Sequence, residues 1–127
     1  MKKRRQPKYI DVPYLAPRMS VTAITSILHR ISGVAMFACL PIILWLFSGT
    51  LSTKEGFDIY QSVISNPVAK LVLIGLLWAY LHHVFAGIRF LFLDLHKGLE
   101  VQTAKTTARI AVVAAIIVAV VVGAILW

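Results

Sequence analysis

The chain of 127 residues is 59% hydrophobic and only 14% charged, with a formal net charge of +8 and a mean hydropathy of +0.83. Soluble globular domains carry about a quarter of their residues as charges, so this chain has too few to cover a water-facing surface. That excludes a disordered tail, a disulfide scaffold and an ordinary soluble enzyme, and leaves an integral membrane protein of at most one domain. The basic surplus would ordinarily suggest nucleic acid, but its distribution along the chain fits membrane topology.

Residues 1–19 form a basic segment that holds Lys2, Lys3, Arg4, Arg5, Lys8 and Arg18. It looks like the charged region of a signal peptide. The apolar run that follows from about Met19 is longer than a signal core and has no small-residue cleavage site after it. The first helix is therefore expected to be retained. With no transit-peptide-like leader ahead of the basic cluster, the protein is read as bacterial and of the inner (plasma) membrane. The cluster is read as a topology signal attracted to anionic membrane lipid, and no nucleic-acid partner is expected.

Residues 20–127 are read as an all-α unit of three transmembrane helices, spanning about 22–48, 67–93 and 108–127. No charge lies between Arg30 and Lys54, and about 20 apolar residues suffice to cross the hydrocarbon core. Pro41 falls in mid-span and is expected to bend the first helix. Asn66-Pro67 supplies the second helix with an N-cap and a first-turn proline. The third run, Ile110 to Trp127, is rich in Val, Ala and Ile and is expected to be structural. Cys39 is the only cysteine, which excludes an intrachain disulfide and a c-type haem attachment; it is read as a small packed hydrophobe.

Lys and Arg set the orientation. The first 30 residues carry seven of them, the loop after helix one carries Lys54 beside Glu55 and Asp58, and the loop after helix two carries Lys97, Lys105 and Arg109. The positive-inside rule then places the N-terminus and the second loop in the cytoplasm, and the first loop and the C-terminus in the periplasm. Three helices that are apolar nearly all round make a thin bundle. Small residues at Gly33, Gly75, Ala79, Ala86 and Gly87 would let another helix or a flat cofactor approach, so a partner subunit is expected.

Ionisable side chains inside a span are costly and point to function. In the first cluster, helical spacing puts Ser26, His29, Arg30 and Gly33 on one face at the cytoplasmic end of helix one. The alternative is a plain helix end, with Arg30 snorkelling to the headgroups. The second cluster is His82-His83 with Arg89 and Asp94. His83 lies roughly 15 Å from Asp94 along the helix, near mid-membrane, in a groove read between Gly75, Ala79 and Gly87. Such a groove suits a flat macrocycle whose iron takes His83 as axial ligand, and an interhelical hydrogen bond is the competing reading. His82 points about 100° away, on the face of Ala86 and Arg89, and is read as packed or water-bonded. His96 is read as a solvated loop residue. Zinc spacings, a phosphate loop and a nucleophile elbow are missing from the sequence.

The pair Ser26-x-x-His29-Arg30-x-Ser32-Gly33 and His83-x-x-x-Gly87-Ile88-Arg89-x-Leu91-x-x-Asp94 resembles the cytochrome b556 membrane-anchor family of succinate dehydrogenase (respiratory complex II, large anchor). The likeness covers nearly the whole chain. It implies pairing with a second three-helix anchor, and docking of the iron–sulfur and flavoprotein subunits on the cytoplasmic face. It also implies a haem b shared between the anchors, with His83 as the iron ligand and the propionates met near His29 and Arg30. Ser26 and Arg30 match the family's ubiquinone-site residues. The sequence departs from the pattern at Phe90, where family members usually have histidine, at the split Arg5-Gln6-Pro7, and at Leu93. The expected role is a non-catalytic subunit of succinate dehydrogenase in the tricarboxylic acid cycle and electron transport, with no catalytic residue of its own. The rival readings are the anchor of a quinol:fumarate reductase and a small helical membrane subunit without enzymatic function.

Overall fold

The computed structural model describes residues 19–126. The basic cluster from Lys2 to Arg18 and the closing Trp127 lie outside the described residues. Four helices follow in chain order: α1 (Val21–Ser52), α2 (Lys54–Ser65), α3 (Pro67–Asp94) and α4 (Val101–Leu126). Three of them, α1, α3 and α4, are long and apolar enough to cross a membrane. The chain is therefore an all-α, multi-pass membrane protein.

Ser20 caps α1, its hydroxyl accepting from the Ala23 N–H at 3.3 Å. The helix then runs 32 residues and continues through Pro41. Its end is tied to the start of α2 at one residue. The Thr53 N–H donates to the Gly49 carbonyl, and the Thr53 hydroxyl accepts from the Gly56 N–H at 3.0 Å. A Cβ at Gly56 would collide with the Gly49 backbone, so the close approach of α1 and α2 depends on glycine.

The segment read as a loop after the first span is thus a 12-residue helix. Glu55 lies in its first turn, where a carboxylate complements the positive helix end. Tyr60, Val63 and Ile64 of α2 line a cleft together with apolar residues of α1 and α3, while Lys54, Glu55 and Asp58 stay exposed.

Asn66 opens α3 as the sequence indicates, its Oδ1 accepting from Val68 N–H at 2.8 Å and Ala69 N–H at 3.4 Å, with Pro67 at the first turn. The helix closes with a left-handed residue at His96 (φ 58°). Lys97 N–H donates to the Phe92 carbonyl and His96 N–H to the Leu93 carbonyl, the paired bonds of a Schellman stop. His96 is exposed there.

The fourth helix begins at Val101, so Lys105 and Arg109, read as loop residues, are helical and exposed. Threonines and charges in this first stretch mask the helix in a hydropathy reading, because hydropathy registers the span and not its polar extension.

α3 packs against both α1 and α4. Ala108, Ala111, Ala115, Ala119 and Gly123 are the buried residues of α4, and Ala79, His82, Ala86 and Arg89 those of α3. Each series recurs at three or four residues, a single helical face. With methyls or nothing on that face the two backbones can approach closely, and close van der Waals packing holds helices together where lipid is as apolar as leucine. Ala115 is fully buried, so Ala115→Leu should overpack the seam and cost about 1–3 kcal/mol. A lower thermal unfolding midpoint in detergent would report this, with exposed Val113→Leu as the unchanged control.

Candidate functional site

The polar residues of α1 and α3 meet where the two helices cross. His83 Nδ1 lies 2.9 Å from the His29 carbonyl oxygen and 3.2 Å from Ser32 Oγ. A carbonyl only accepts, which assigns the proton to Nδ1. The Ser32 hydroxyl donates to the same carbonyl at 2.9 Å. One backbone oxygen of α1 therefore receives two donors, and the His83 ring is fixed in both tautomer and orientation. Nε2 keeps its lone pair; it has no partner among the described residues and is not sealed in by them.

Gly33 makes this approach possible. A Cβ there would stand 2.9 Å from His83 Cε1 and 3.4 Å from Nδ1. The His29 ring lies against His83, with centroids 3.9 Å apart and planes 13° from parallel. Phe90 meets the His29 ring edge-on at 5.2 Å, so the residue that departs from the family pattern packs on the motif histidine.

Ser26 is half-buried and Arg30 exposed, one turn apart on α1. The structure brings His29, Ser32, Gly33 and His83 together, and leaves Ser26 and Arg30 beside that cluster without bonds to it. Ser32 stands in the motif without an assigned role, yet it is 3% exposed and donates to the His29 carbonyl that His83 also reaches. Its spacing of three from His29, which lets a serine hydroxyl reach back to that carbonyl, was the available signal.

The groove read around His83 is divided. Ala79 belongs with His82, Ala86 and Arg89 on the buried face of α3. A Cβ at Gly75 would meet nothing within 4 Å, and one at Gly87 would meet His29 Nε2 at 3.5 Å. The space beside Gly87 is thus taken by a side chain of the same protein. His82 shares its face with Ala86 and Arg89, as helical geometry indicates. It is fully buried, stacks on Trp78 at 5.5 Å, and neither ring nitrogen has a hydrogen-bond partner among the described residues. Among the described residues no three His, Cys, Asp or Glu side chains form a metal-binding group. A macrocyclic iron asks less of the chain, since one axial imidazole suffices.

Comparison with known proteins identifies the family. The model of the succinate dehydrogenase/fumarate reductase transmembrane subunit matches residues 4–123. The chain belongs to that family. Among similar proteins is the succinate dehydrogenase cytochrome b556 subunit of Coxiella burnetii, 36% identical over 106 residues, covering 83% of this chain and 85% of the relative. The subunit of the same name from Paracoccus denitrificans is 31% identical over 103 residues, covering 81% and 79%. A succinate dehydrogenase hydrophobic membrane anchor subunit from Halobacterium salinarum is 30% identical over 97 residues, covering 73% and 72%. Family membership and three apolar spans make this a multi-pass inner-membrane subunit of an oxidoreductase complex, so partner subunits are part of its working state.

The packing at Gly33 gives a direct test. Gly33→Ala should displace the His83 ring, because a methyl at 2.9 Å from Cε1 requires movement. In nitrogen NMR of the histidine-labelled protein, the His83 resonances should shift while those of exposed His96 stay in place.

Proposed function

We propose that the chain is the large membrane anchor of a succinate:ubiquinone oxidoreductase, binding haem b together with a second anchor and forming part of the ubiquinone-reduction site. The observation that carries this reading is the His83 imidazole, whose Nδ1–H is held by the His29 carbonyl at 2.9 Å. Histidines that ligate metals characteristically donate the other ring N–H to a carbonyl or carboxylate, which fixes the tautomer and raises ligand basicity. The donor set therefore fits haem: His83 would hold the iron together with a histidine of the second anchor, and His29 and Arg30 would meet the propionates. Bound haem supplies a one-electron carrier next to the quinone site.

The remaining chemistry belongs to this chain's side chains and its partners. Succinate is oxidised in the flavoprotein subunit, and electrons reach the anchors through the iron–sulfur subunit. Ser26 donates a hydrogen bond to a quinone carbonyl. Arg30, exposed one turn away, presents a fixed positive charge to the negative charge that develops on the ring during reduction. The Lys97, Lys105 and Arg109 end of the bundle faces the cytoplasm and the α2 end faces the periplasm, which puts the quinone residues on the side of the docked iron–sulfur subunit. The family description spans both succinate dehydrogenases and fumarate reductases; the names of the similar proteins favour succinate oxidation.

Replacing each histidine in the assembled complex tests the haem assignment. His83→Ala should abolish or strongly weaken the reduced-minus-oxidised haem b band, and His82→Ala should leave it largely intact. The reverse pattern would overturn the assignment.

The quinone assignment predicts two different defects. Ser26→Ala should weaken quinone binding by about 1 kcal/mol, one net hydrogen bond. Arg30→Leu should chiefly slow turnover, because the charge it removes acts on the reduced ring more than on the neutral one. Steady-state ubiquinone reduction measures both, with succinate oxidation by an artificial acceptor as the unaffected control. Normal ubiquinone reduction by both variants would remove the pair from the site.

A further inference from the structure

Arg89 is a second polar group inside the bundle, and the α1–α3 site does not use it. It is 7% exposed, and its acceptors are neutral: Nε donates to Thr107 Oγ1 at 3.2 Å and Nη2 to the Ala104 carbonyl at 3.1 Å. The guanidinium also lies over the Phe90 ring, 5.3 Å from its centroid. Among the described residues the carboxylates at this end, Asp94 and Glu100, are exposed, and Glu100 accepts from the Thr103 hydroxyl. Glu55 and Asp58 are on α2, at the opposite end of the spans. A cation so withdrawn from water, with only neutral acceptors among the described residues, is stabilised by any anion that can reach it.

Arg89 lines a cleft of about 530 Å³ between α3 and α4, within the size range of small-ligand sites. Its chemistry is graded. Phe85, Ile88, Phe92, Ile110 and Ala114 line the apolar part, and Lys97 joins Arg89 at the polar end. Lys97 reaches the cleft because the Schellman stop turns the chain there, and that stop also satisfies the Phe92 and Leu93 carbonyls, which would otherwise repel an anion. Ile88, Phe92 and Ile110 are each about half exposed, at 47%, 54% and 60%. The cleft therefore opens sideways to the hydrocarbon, and an occupant must be cationophilic at one end and apolar at the other.

We propose that this cleft binds an anionic phospholipid, its phosphate between Arg89 and Lys97 and an acyl chain along Phe85, Phe92 and Ile110. The site lies between α3 and α4, whereas His83 and His29 meet between α1 and α3, so it stands independently of the haem and quinone assignments. Arg89 is a dual-purpose residue here: two of its nitrogens fasten α4, and its charge faces a lipid headgroup.

The test uses the complex purified in neutral detergent, stripped of lipid and titrated with phosphatidylglycerol or phosphatidylcholine, with bound lipid counted by native mass spectrometry. Phosphatidylglycerol should be retained preferentially. Lys97→Gln should weaken its retention about five-fold, the effect of one basic residue near an anionic headgroup. Ala114→Phe should fill the apolar part and remove the tight-binding lipid. Lys54→Gln, at the other end, should change nothing. Arg89→Gln would also release α4, so Lys97→Gln and Ala114→Phe carry the test in chains that keep those anchors. Equal retention of the two lipids, or phosphatidylglycerol retention indifferent to both variants, would overturn the proposal.

Discussion

The hydrogen bond from His83 Nδ1–H to the His29 carbonyl is the constraint on which the α1–α3 half of the molecule depends. In the membrane interior an imidazole without a partner is expensive, and here the partner is backbone, so it is set by the fold of α1 and not by the choice of a side chain. Two conditions follow. Gly33 must lack a Cβ, since the ring passes within 2.9 Å of where one would be, and Ser32 must turn its hydroxyl back to the same oxygen. The ring then has one possible tautomer, and the nitrogen left over is the one a metal can use.

The two halves of the bundle are packed differently. The buried residues of α4 are alanines and a glycine, whereas α1 buries only Thr25 and Ser32 and leaves Val34 and Phe37 70% and 80% exposed. In lipid such exposure carries no hydrophobic penalty, so it is not a defect of the fold. It does mean that the polar cluster of α1 sits on the loosely covered side, where Arg30 is exposed and Ser26 half-buried. The proposed quinone site, completed by other subunits, needs that arrangement, since residues buried within one chain could not be shared.

Most of the architecture is legible in the sequence because hydropathy and caps are local signals. The three spans, the Asn66-Pro67 start and the placing of His82 with Ala86 and Arg89 all follow from runs and helical spacing. The helix α2 is not legible in the same way: its Lys54, Glu55 and Asp58 read as a polar connection, and the Thr53 hydroxyl and the Gly49–Gly56 approach that make it a helix appear only in three dimensions. The site divides along the same line. Periodicity can say that Gly87 and Ala79 are small and near His83, but not that the His29 ring fills the space beside Gly87 while Ala79 turns to the other seam.

The beginning of α4 shows why a polar stretch and a buried charge are one problem. Residues 101–109 look like loop because they carry Thr103, Lys105, Thr106, Thr107 and Arg109. Yet Arg89 needs acceptors where α3 leaves the membrane, and the adjoining helix can offer them only if it has already begun there. Helical geometry puts the Ala104 carbonyl and the Thr107 hydroxyl on one face, three residues apart, and both accept from Arg89. Were this stretch an irregular loop, the guanidinium would have to find those acceptors in water or remain unsatisfied. His82, seven residues earlier on the same face of α3, stacks on Trp78, and neither of its nitrogens has a hydrogen-bond partner among the described residues. The polar residues that blur the helix start are therefore the ones that make burial of Arg89 tolerable, and the apolar stripe that makes the rest of the span obvious offers His82 nothing.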